Sequence, residues 1–459
     1  MIYEKLKEIF SSDRLKLDAE SLKIYGKDWS PYFAPKPTAI VFPKTMEEIQ
    51  TLVRWANINK IFLVPSGGRT GLSGGATATQ GEVVVCMDLM NQILDFSAAD
   101  QSVKVQAGVV LEALQKFAAE KGLMYPIDFA ARGSAQIGGT IATNAGGIKV
   151  LRYGMTRQWV LGLKVVTGSG EVLDLNRGLV KNATGYDLRQ LFIGSEGTLG
   201  LIVEATLGLA AAPPPTQTIL LATSGVDSIM KVFTKFKTQT DLVAFEMFSD
   251  LALSFVLADG HVTKPFETQS DYYLLLECGA STDESKAKMI EILEQCFGEG
   301  LVVDGVVSQS DKQARDFWRL REDISESLSK FSPYKNDLSV KISQAPSFMV
   351  DLDLILKKEY PAFQVVWFGH IGDGNLHINI LKPNELPKEA FLKECRKVDE
   401  LVFQTVQNHQ GSISAEHGVG LVKKPFLHFS KSNFEIQFMK QIKAIFDPVH
   451  IMNPNKIFD

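Results

Sequence analysis

The sequence predicts an α+β protein with two α+β domains and a C-terminal helical segment. Three observations carry that reading. Short β-type apolar runs alternate with helically spaced ones along the whole chain. Pro213-Pro214-Pro215 interrupts the pattern where neither a helix interior nor a central strand could continue. The chemistry-bearing residues also differ on the two sides: the glycine-rich loops precede the prolines, and none of the seven histidines occurs before His261. At 459 residues the chain can hold two or three domains. The expected boundaries are 1–212, 213–415 and a segment 416–459 that packs back on the first domain.

The elements follow in order. Residues 39–42 form an apolar run ended by Pro43. Thr45 is the expected N-cap of a helix carrying Ile49, Leu52, Val53 and Ala56 at helical spacing, with Glu48 reaching back to complete a capping box. Residues 61–64 read as a strand, and Pro65 opens a glycine loop. Strand signals recur at 83–85, 93–96 and 103–105, then a helix from about 110 stops at Gly122. Strands at 160–166 and 171–175 are joined by the hairpin-like Thr167-Gly168-Ser169-Gly170. Beyond the prolines, 219–222 and 272–277 read as strands, and Ser281-Thr282-Asp283-Glu284 caps a helix reaching about Cys296. Strands at 365–368 and 376–380 flank a histidine loop. A helix over 388–409 ends at Gly411, and a last one over 433–446 stops at Pro448.

Composition excludes several function classes. A net charge of −5 gives no basis for binding nucleic acid or an acidic membrane surface. No apolar run approaches the roughly 18 residues of a membrane span, and the first twenty residues, with Glu4, Lys5, Lys7 and Glu8, do not read as a leader. Four scattered cysteines without a CxxC pair suit reduced thiols and a cytoplasmic location, with peripheral contact to the inner membrane left open through an electron acceptor.

The loop Pro65-Ser66-Gly67-Gly68-Arg69-Thr70-Gly71-Leu72-Ser73-Gly74-Gly75 has five glycines in eleven positions. Consecutive glycines let backbone N–H groups converge on an anion, phosphate above all. The spacing lacks the lysine of a Walker loop, which disfavours ATP hydrolysis. Residues 133–147 add five more glycines, and a third stretch runs through Asn182–Leu188 to Phe192-Ile193-Gly194-Ser195-Glu196-Gly197-Thr198-Leu199-Gly200-Leu201-Ile202. Three such loops together point to a large phosphate-bearing cofactor. Ile137-Gly138-Gly139, Ala142-Thr143-Asn144-Ala145-Gly146-Gly147 and Gly194–Gly200 resemble the FAD-binding domain of the vanillyl-alcohol oxidase/p-cresol methylhydroxylase (PCMH) superfamily, over about Pro35 to Leu209. The resemblance implies a PCMH-type domain of two α+β subdomains and an α+β substrate (cap) domain after it. It implies FAD contacts at Pro65, Ser66, Gly67, Gly68, Arg69, Thr70, Gly71, Ser73 and Gly74 around the pyrophosphate. Further contacts implied are Gly133, Ser134, Gly138, Gly139, Thr140, Ala142, Thr143, Asn144, Gly146 and Gly147, then Tyr153, Gly154, Glu196, Gly197, Gly200, Ile202 and Asn453. Some relatives attach the flavin through histidine or cysteine. Residues 1–212 hold no histidine, Ala135 stands where some relatives have cysteine, and Cys86 lies on an apparent strand, so non-covalent FAD is expected.

The second half carries His370-Ile371-Gly372-Asp373-Gly374-Asn375-Leu376-His377-Ile378-Asn379 and Ser414-Ala415-Glu416-His417-Gly418-Val419-Gly420. Two imidazoles and a carboxylate make an open ligand set for Zn²⁺, Mn²⁺ or Fe²⁺. His261, His409, His428 and His450 lack such context. Both segments resemble the D-lactate/D-2-hydroxyglutarate dehydrogenase and glycolate oxidase flavin-subunit branch of the superfamily. That resemblance implies a divalent metal, zinc first, on His370, His377 and Glu416, with His417 as general base and Asn379 on the substrate. It also implies Arg321 as carboxylate clamp, Ser325 one helical turn on, and Lys335 as a substrate-contacting lysine. Lys341 and Asn455 depart from the branch's usual proline and glycine. The implied reaction is FAD-dependent dehydrogenation of a D-2-hydroxy acid to the 2-oxo acid, with quinone, cytochrome, electron-transfer flavoprotein or oxygen as acceptor. A homodimer is left open. The alternatives are a metal-free flavin oxidase, the flavin subunit of a glycolate oxidase-type complex, and a non-catalytic flavin-binding subunit.

Overall fold

The computed structural model describes residues 2–458. The chain divides into two compact units. One comprises the chain up to Gly147, Tyr153–Pro213 and the chain from Glu416 on; the other comprises Ile148–Arg152 and Pro214–Ala415.

The first unit holds two sheets. A four-stranded sheet runs Leu15–Lys16, Ala39–Val41, Val83–Cys86, Leu63–Ser66, with its last three strands parallel. A five-stranded antiparallel sheet runs Ile93–Ser97, Ser102–Gln106, Gly200–Gly208, Val160–Thr167, Val172–Leu175. A shared apolar core, including Leu52, Val83, Val105, Ile141, Val165 and Val203, joins them. Helix Met46–Asn59 starts at Thr45, whose hydroxyl accepts the Glu48 N–H. The expected capping box is not completed: Glu48 accepts from Lys44 N at 2.7 Å and pairs with Arg14, a residue sequence spacing could not bring to mind.

The C-terminal helix Asn433–Phe446 belongs to this unit and opens with a true capping box between Ser432 and Glu435. Buried Lys443 donates to Thr198 O, Met452 O and the Asp447 carboxylate at 2.7–2.8 Å. This matters because a buried ammonium without acceptors is strongly disfavoured; three acceptors fix the chain end. Leu63 N donates to Ile451 O and Asn453 N to Leu63 O, so the C-terminal segment lies along the strand that leads into the first glycine loop.

The second unit is built on one seven-stranded antiparallel sheet, in the order Val302–Val307, Thr216–Thr223, Tyr272–Gly279, Leu242–Ser249, Val365–Gly369, Asn375–Ile380, Tyr334–Ser339. Helices Asp311–Glu322 and Asp250–Ala258 cover one face, with Phe317, Leu320, Leu253 and Val256 packed on Phe248, Tyr273, Leu275 and Phe368. Directly opposed residues of antiparallel strands share a face. The registers Lys335↔Asn379, Asp337↔His377 and Phe368↔His377 therefore put Lys335, Asp337, Phe368, His377 and Asn379 on one face. The short 148–152 segment joins this unit through an Arg152–Asp241 ion pair at 2.6 Å.

Candidate active site

In the first unit, strand Leu63–Ser66 delivers the chain into the glycine loop. A Cβ on Gly68 would lie 1.9 Å from Ser134 O, so only glycine lets this loop meet the second one backbone to backbone. Among the described residues, no N–H from Gly68 to Ser73 donates to a protein acceptor. Unspent amides in a glycine-rich bend are what an anionic pyrophosphate requires, so the loop fits a phosphate-bearing cofactor. Arg69, expected as a cofactor contact, also ties the loop down: its guanidinium bonds Gly67 O at 2.8 Å and pairs with Asp88.

The second loop divides similarly. Gly133 and Gly139 have nothing within 4 Å of a built Cβ, leaving room on that surface. Thr140 and Thr143 hydroxyls donate to Ile137 O and Gly139 O, and Asn144 Oδ1 accepts from Arg157 N, so these side chains brace the loop. Gly200 packs against Val166 O, where a Cβ would sit at 2.4 Å, and Ile202 is core. The stretch Asn182–Leu188 is exposed throughout, with Tyr186 96% accessible. Cys86 is fully buried, and burial pushes its thiol up to about 12, which leaves it inert. Histidines are not absent from this unit, however: His417, His428 and His450 enter it through the C-terminal segment.

That segment is fastened to the glycine loop. Ser73 O accepts from Leu421 N and Val422 N, and Ser73 Oγ contacts the carbonyls of His417 and Gly418 at 2.9 and 3.0 Å. The Glu196 carboxylate accepts from Val419 N at 2.7 Å and Gly420 N at 2.8 Å. Its burial raises its pKa, while the two amides oppose that rise. Asn453 Nδ2 donates to Gly75 O and Glu196 O. Glu196 and Asn453 thus hold the His417 turn. Gly418 and Gly420 both adopt positive φ, and a Cβ on Gly420 would lie 2.1 Å from Ser73 O. The turn brings the neighbours Glu416 and His417 to one side, with Oε1 and Nε2 3.9 Å apart and both side chains about one-fifth exposed.

In the second unit the candidate site residues lie on and beside one sheet face. His370 and His377 rings lie 5.4 Å apart, and both are buried. His370 Nδ1 meets Glu246 Oε1 at 2.8 Å. His377 Nδ1 lies 3.7 Å from Asp337 Oδ1. Asp337 also accepts from Asn375 Nδ2 at 2.9 Å and Ala415 N at 3.1 Å, which fixes the residue before Glu416. Sequence reasoning missed both Asp337 and Glu246. Arg321, buried on helix Asp311–Glu322, stacks its guanidinium 5.0 Å from the Phe368 ring and sets Nε 2.9 Å from Glu246 Oε2; its Nη2 has no hydrogen-bond acceptor. Asn379 Nδ2 likewise has none. Lys335, the cross-strand neighbour of Asn379, has its pKa lowered by burial, and no hydrogen bond or ion pair engages it among the described residues. Ser325 falls outside this arrangement. The helix ends at Glu322 and a separate turn, Ile324–Ser327, leaves Ser325 exposed.

Residues 37–176 match the FAD binding domain family, and residues 212–457 match the family of FAD linked oxidases, C-terminal domain. A D-2-hydroxyglutarate dehydrogenase of Stutzerimonas stutzeri (strain A1501) is 55% identical over 457 residues, 100% of this chain and 98% of the relative. A protein of the same name from Xanthomonas citri pv. viticola is 53% identical over 446 residues, 97% of this chain and 94% of the relative. The p-cresol methylhydroxylase crystal structure superposes with a TM-score of 0.77 at 15% identity, covering 99% of this chain and 96% of that one, which shows the PCMH-type α+β fold. The chain belongs to the FAD-linked oxidase family and is an FAD-dependent oxidoreductase. Among the described residues, no helix is long and apolar enough to cross a membrane.

Proposed function

We propose that this chain oxidises D-2-hydroxyglutarate to the 2-oxo acid, using non-covalently held FAD and a divalent cation. The carrying observation is the donor set of the second unit: Arg321 Nη2, Asn379 Nδ2 and the Lys335 ammonium, three groups that only donate and that meet no acceptor among the described residues. A dicarboxylate supplies the missing acceptors at both ends. The names of the two relatives support the same substrate.

Bound FAD supplies the hydride acceptor, and a bound cation the Lewis acidity that lowers the pKa of the 2-hydroxyl. Arg321 holds the C1 carboxylate, and its packing on Phe368 fixes the fork. Lys335 and Asn379 take the distal carboxylate. His417 removes the hydroxyl proton. His370, His377 and Glu416 are the proposed ligands, two imidazoles and a carboxylate of the kind that holds a divalent cation. The His370 Nδ1 contact with the Glu246 carboxylate at 2.8 Å suits a metal-binding imidazole, since it leaves Nε2 as the ligand atom. We further read the cytoplasm as the site of action, in keeping with four buried thiols.

A dye-reduction assay over D-2-hydroxyglutarate, D-lactate, D-malate and glycolate tests the reading. The expected result is the highest kcat/KM for D-2-hydroxyglutarate, lost on chelation and restored by Zn²⁺ or Mn²⁺. Equal kcat/KM for D-lactate would remove the dicarboxylate assignment; undiminished turnover after chelation would remove the cation. Acid denaturation should release the flavin from the polypeptide.

A further inference from the structure

We propose that Glu246 is a positioning residue that fixes His370 as a cation ligand and Arg321 as an anion clamp through one carboxylate. The inference rests on the reading just given and adds a residue to it.

Glu246 is the one charged side chain of strand Leu242–Ser249, whose eight residues are all buried. A carboxylate in such a strand is costly unless it is paired. Its partners are specific. Oε1 meets His370 Nδ1 at 2.8 Å, and Oε2 lies 2.9 Å from Arg321 Nε. The register Met247↔Gly369 brings Glu246 opposite His370, so the contact is set by the sheet and not by loop flexibility. His370 is itself tied down: its carbonyl accepts from Asp373 N and Asn375 N.

An ionised carboxylate can only accept. Beside an ionised Glu246, a neutral His370 carries its proton on Nδ1 and offers the Nε2 lone pair to a cation. The same charge acts on Arg321 from the opposite side. Nε lies 2.9 Å from Glu246 Oε2 in an ion pair without a hydrogen bond, the ring of Phe368 lies against the guanidinium, and both Nε and Nη2 are left without an acceptor. Glutamine at 246 would keep the shape, but its NH₂ could face His370 Nδ1 and select the tautomer that cannot ligate through Nε2. It would also remove the charge that orients Arg321.

The test compares wild type, Glu246→Gln and Glu246→Asp as FAD-loaded full chains. Zn²⁺ affinity is measured by competition with a chromophoric chelator, alongside Tm and the kcat and KM for D-2-hydroxyglutarate. Glu246→Gln should weaken Zn²⁺ binding about 10- to 100-fold and raise KM, with Tm retained; Glu246→Asp, which keeps the charge, should recover part of both. Wild-type Zn²⁺ affinity in a folded Glu246→Gln overturns the inference alone. Failure of the wild type to take up Zn²⁺ overturns the cation reading and the inference with it. Should Glu246→Gln not fold, ¹⁵N-histidine NMR of the wild type decides: a protonated Nδ1 with Nε2 shifting on Zn²⁺ addition supports the proposal, and an Nε2–H tautomer at His370 overturns it.

Discussion

Gly139→Ala separates what the protein tolerates from what the flavin requires. Gly139 lies inside the short helix Ile137–Ala142, and a Cβ built there has nothing within 4 Å. Within the polypeptide the change is harmless, and replacing a helical glycine by alanine should stabilise the flavin-free chain by about 0.5–1 kcal/mol. If the FAD approaches this backbone as the loop's glycines imply, the new methyl group takes space the cofactor uses. Overpacking of this kind costs about 1–3 kcal/mol, which at about 1.4 kcal/mol per tenfold weakens FAD roughly 5- to 150-fold. The assay is reconstitution of flavin-stripped chain followed by quenching of flavin fluorescence, with Tm measured with and without FAD. The expected signature is opposed: a flavin-free Tm that is unchanged or higher, and a clearly weaker FAD Kd. An FAD Kd within twofold of wild type would refute a flavin contact at Gly139. Gly68→Ala is the contrasting control, because its Cβ would strike Ser134 O at 1.9 Å and disturb the loop with or without cofactor.

Other expectations follow from the same geometry. His417→Ala should lower kcat about 10²- to 10⁴-fold while leaving the flavin spectrum intact, since Ser73 holds the His417 carbonyl and not its ring; stopped-flow flavin reduction checks this, and turnover within tenfold of wild type would sink the base assignment. Lys335→Ala should raise KM for D-2-hydroxyglutarate about 10- to 100-fold, the worth of one charged hydrogen bond at about 1.5–3 kcal/mol, and leave D-lactate unaffected. Asp399, buried against Tyr334, has its carboxyl pushed by burial from the ordinary 3.8 up to about 6. The folded chain then binds more protons than the unfolded one between those values, so this group's contribution to stability falls as pH rises through that window and is least favourable above it. Asp399→Asn should therefore raise stability at pH 7.5 by about 1–3 kcal/mol, a Tm gain of several degrees, and the gain should vanish near pH 4 in thermal melts.

The parts of the fold that were legible in the sequence are those written in local periodicity. Helices Lys388–Asn408 and Asn433–Phe446 lie where their spacing and end signals put them. The histidine strands Val365–Gly369 and Asn375–Ile380 do too. What was not legible depends on partners far along the chain. Glu48 forgoes its own capping box because Arg14, 34 residues away, competes for it. Ser325 fell out because the helix breaks after Glu322, at a point without glycine or proline to announce it. Asp337 matters through a cross-strand neighbour that only the register supplies. Glu246 did leave a signal: one carboxylate inside the apolar run Leu242–Ser249 is a residue that must be paired if that run is a buried strand.

The two units use different means to hold reactive groups. In the first, precision comes from the backbone. The His417 turn is fixed by carbonyls and amides of Ser73, Val419, Gly420 and Leu421 and by Glu196, so His417, the proposed base, and the glycine loop share one set of hydrogen bonds. A change that loosens the loop should therefore disturb flavin binding and the base together, and the two losses should not be separable by substitutions in 66–75. In the second, precision comes from side-chain alternation on a sheet. Lys335, Asp337, His377 and Asn379 sit at every second position of adjacent strands, and Glu246 binds His370 from the next strand over. A one-residue register slip would carry the whole row to the opposite face. The buried strand pairs that prevent it, such as Trp367↔Ile378 and Leu338↔Leu376, are then as necessary to the proposed site as its polar residues.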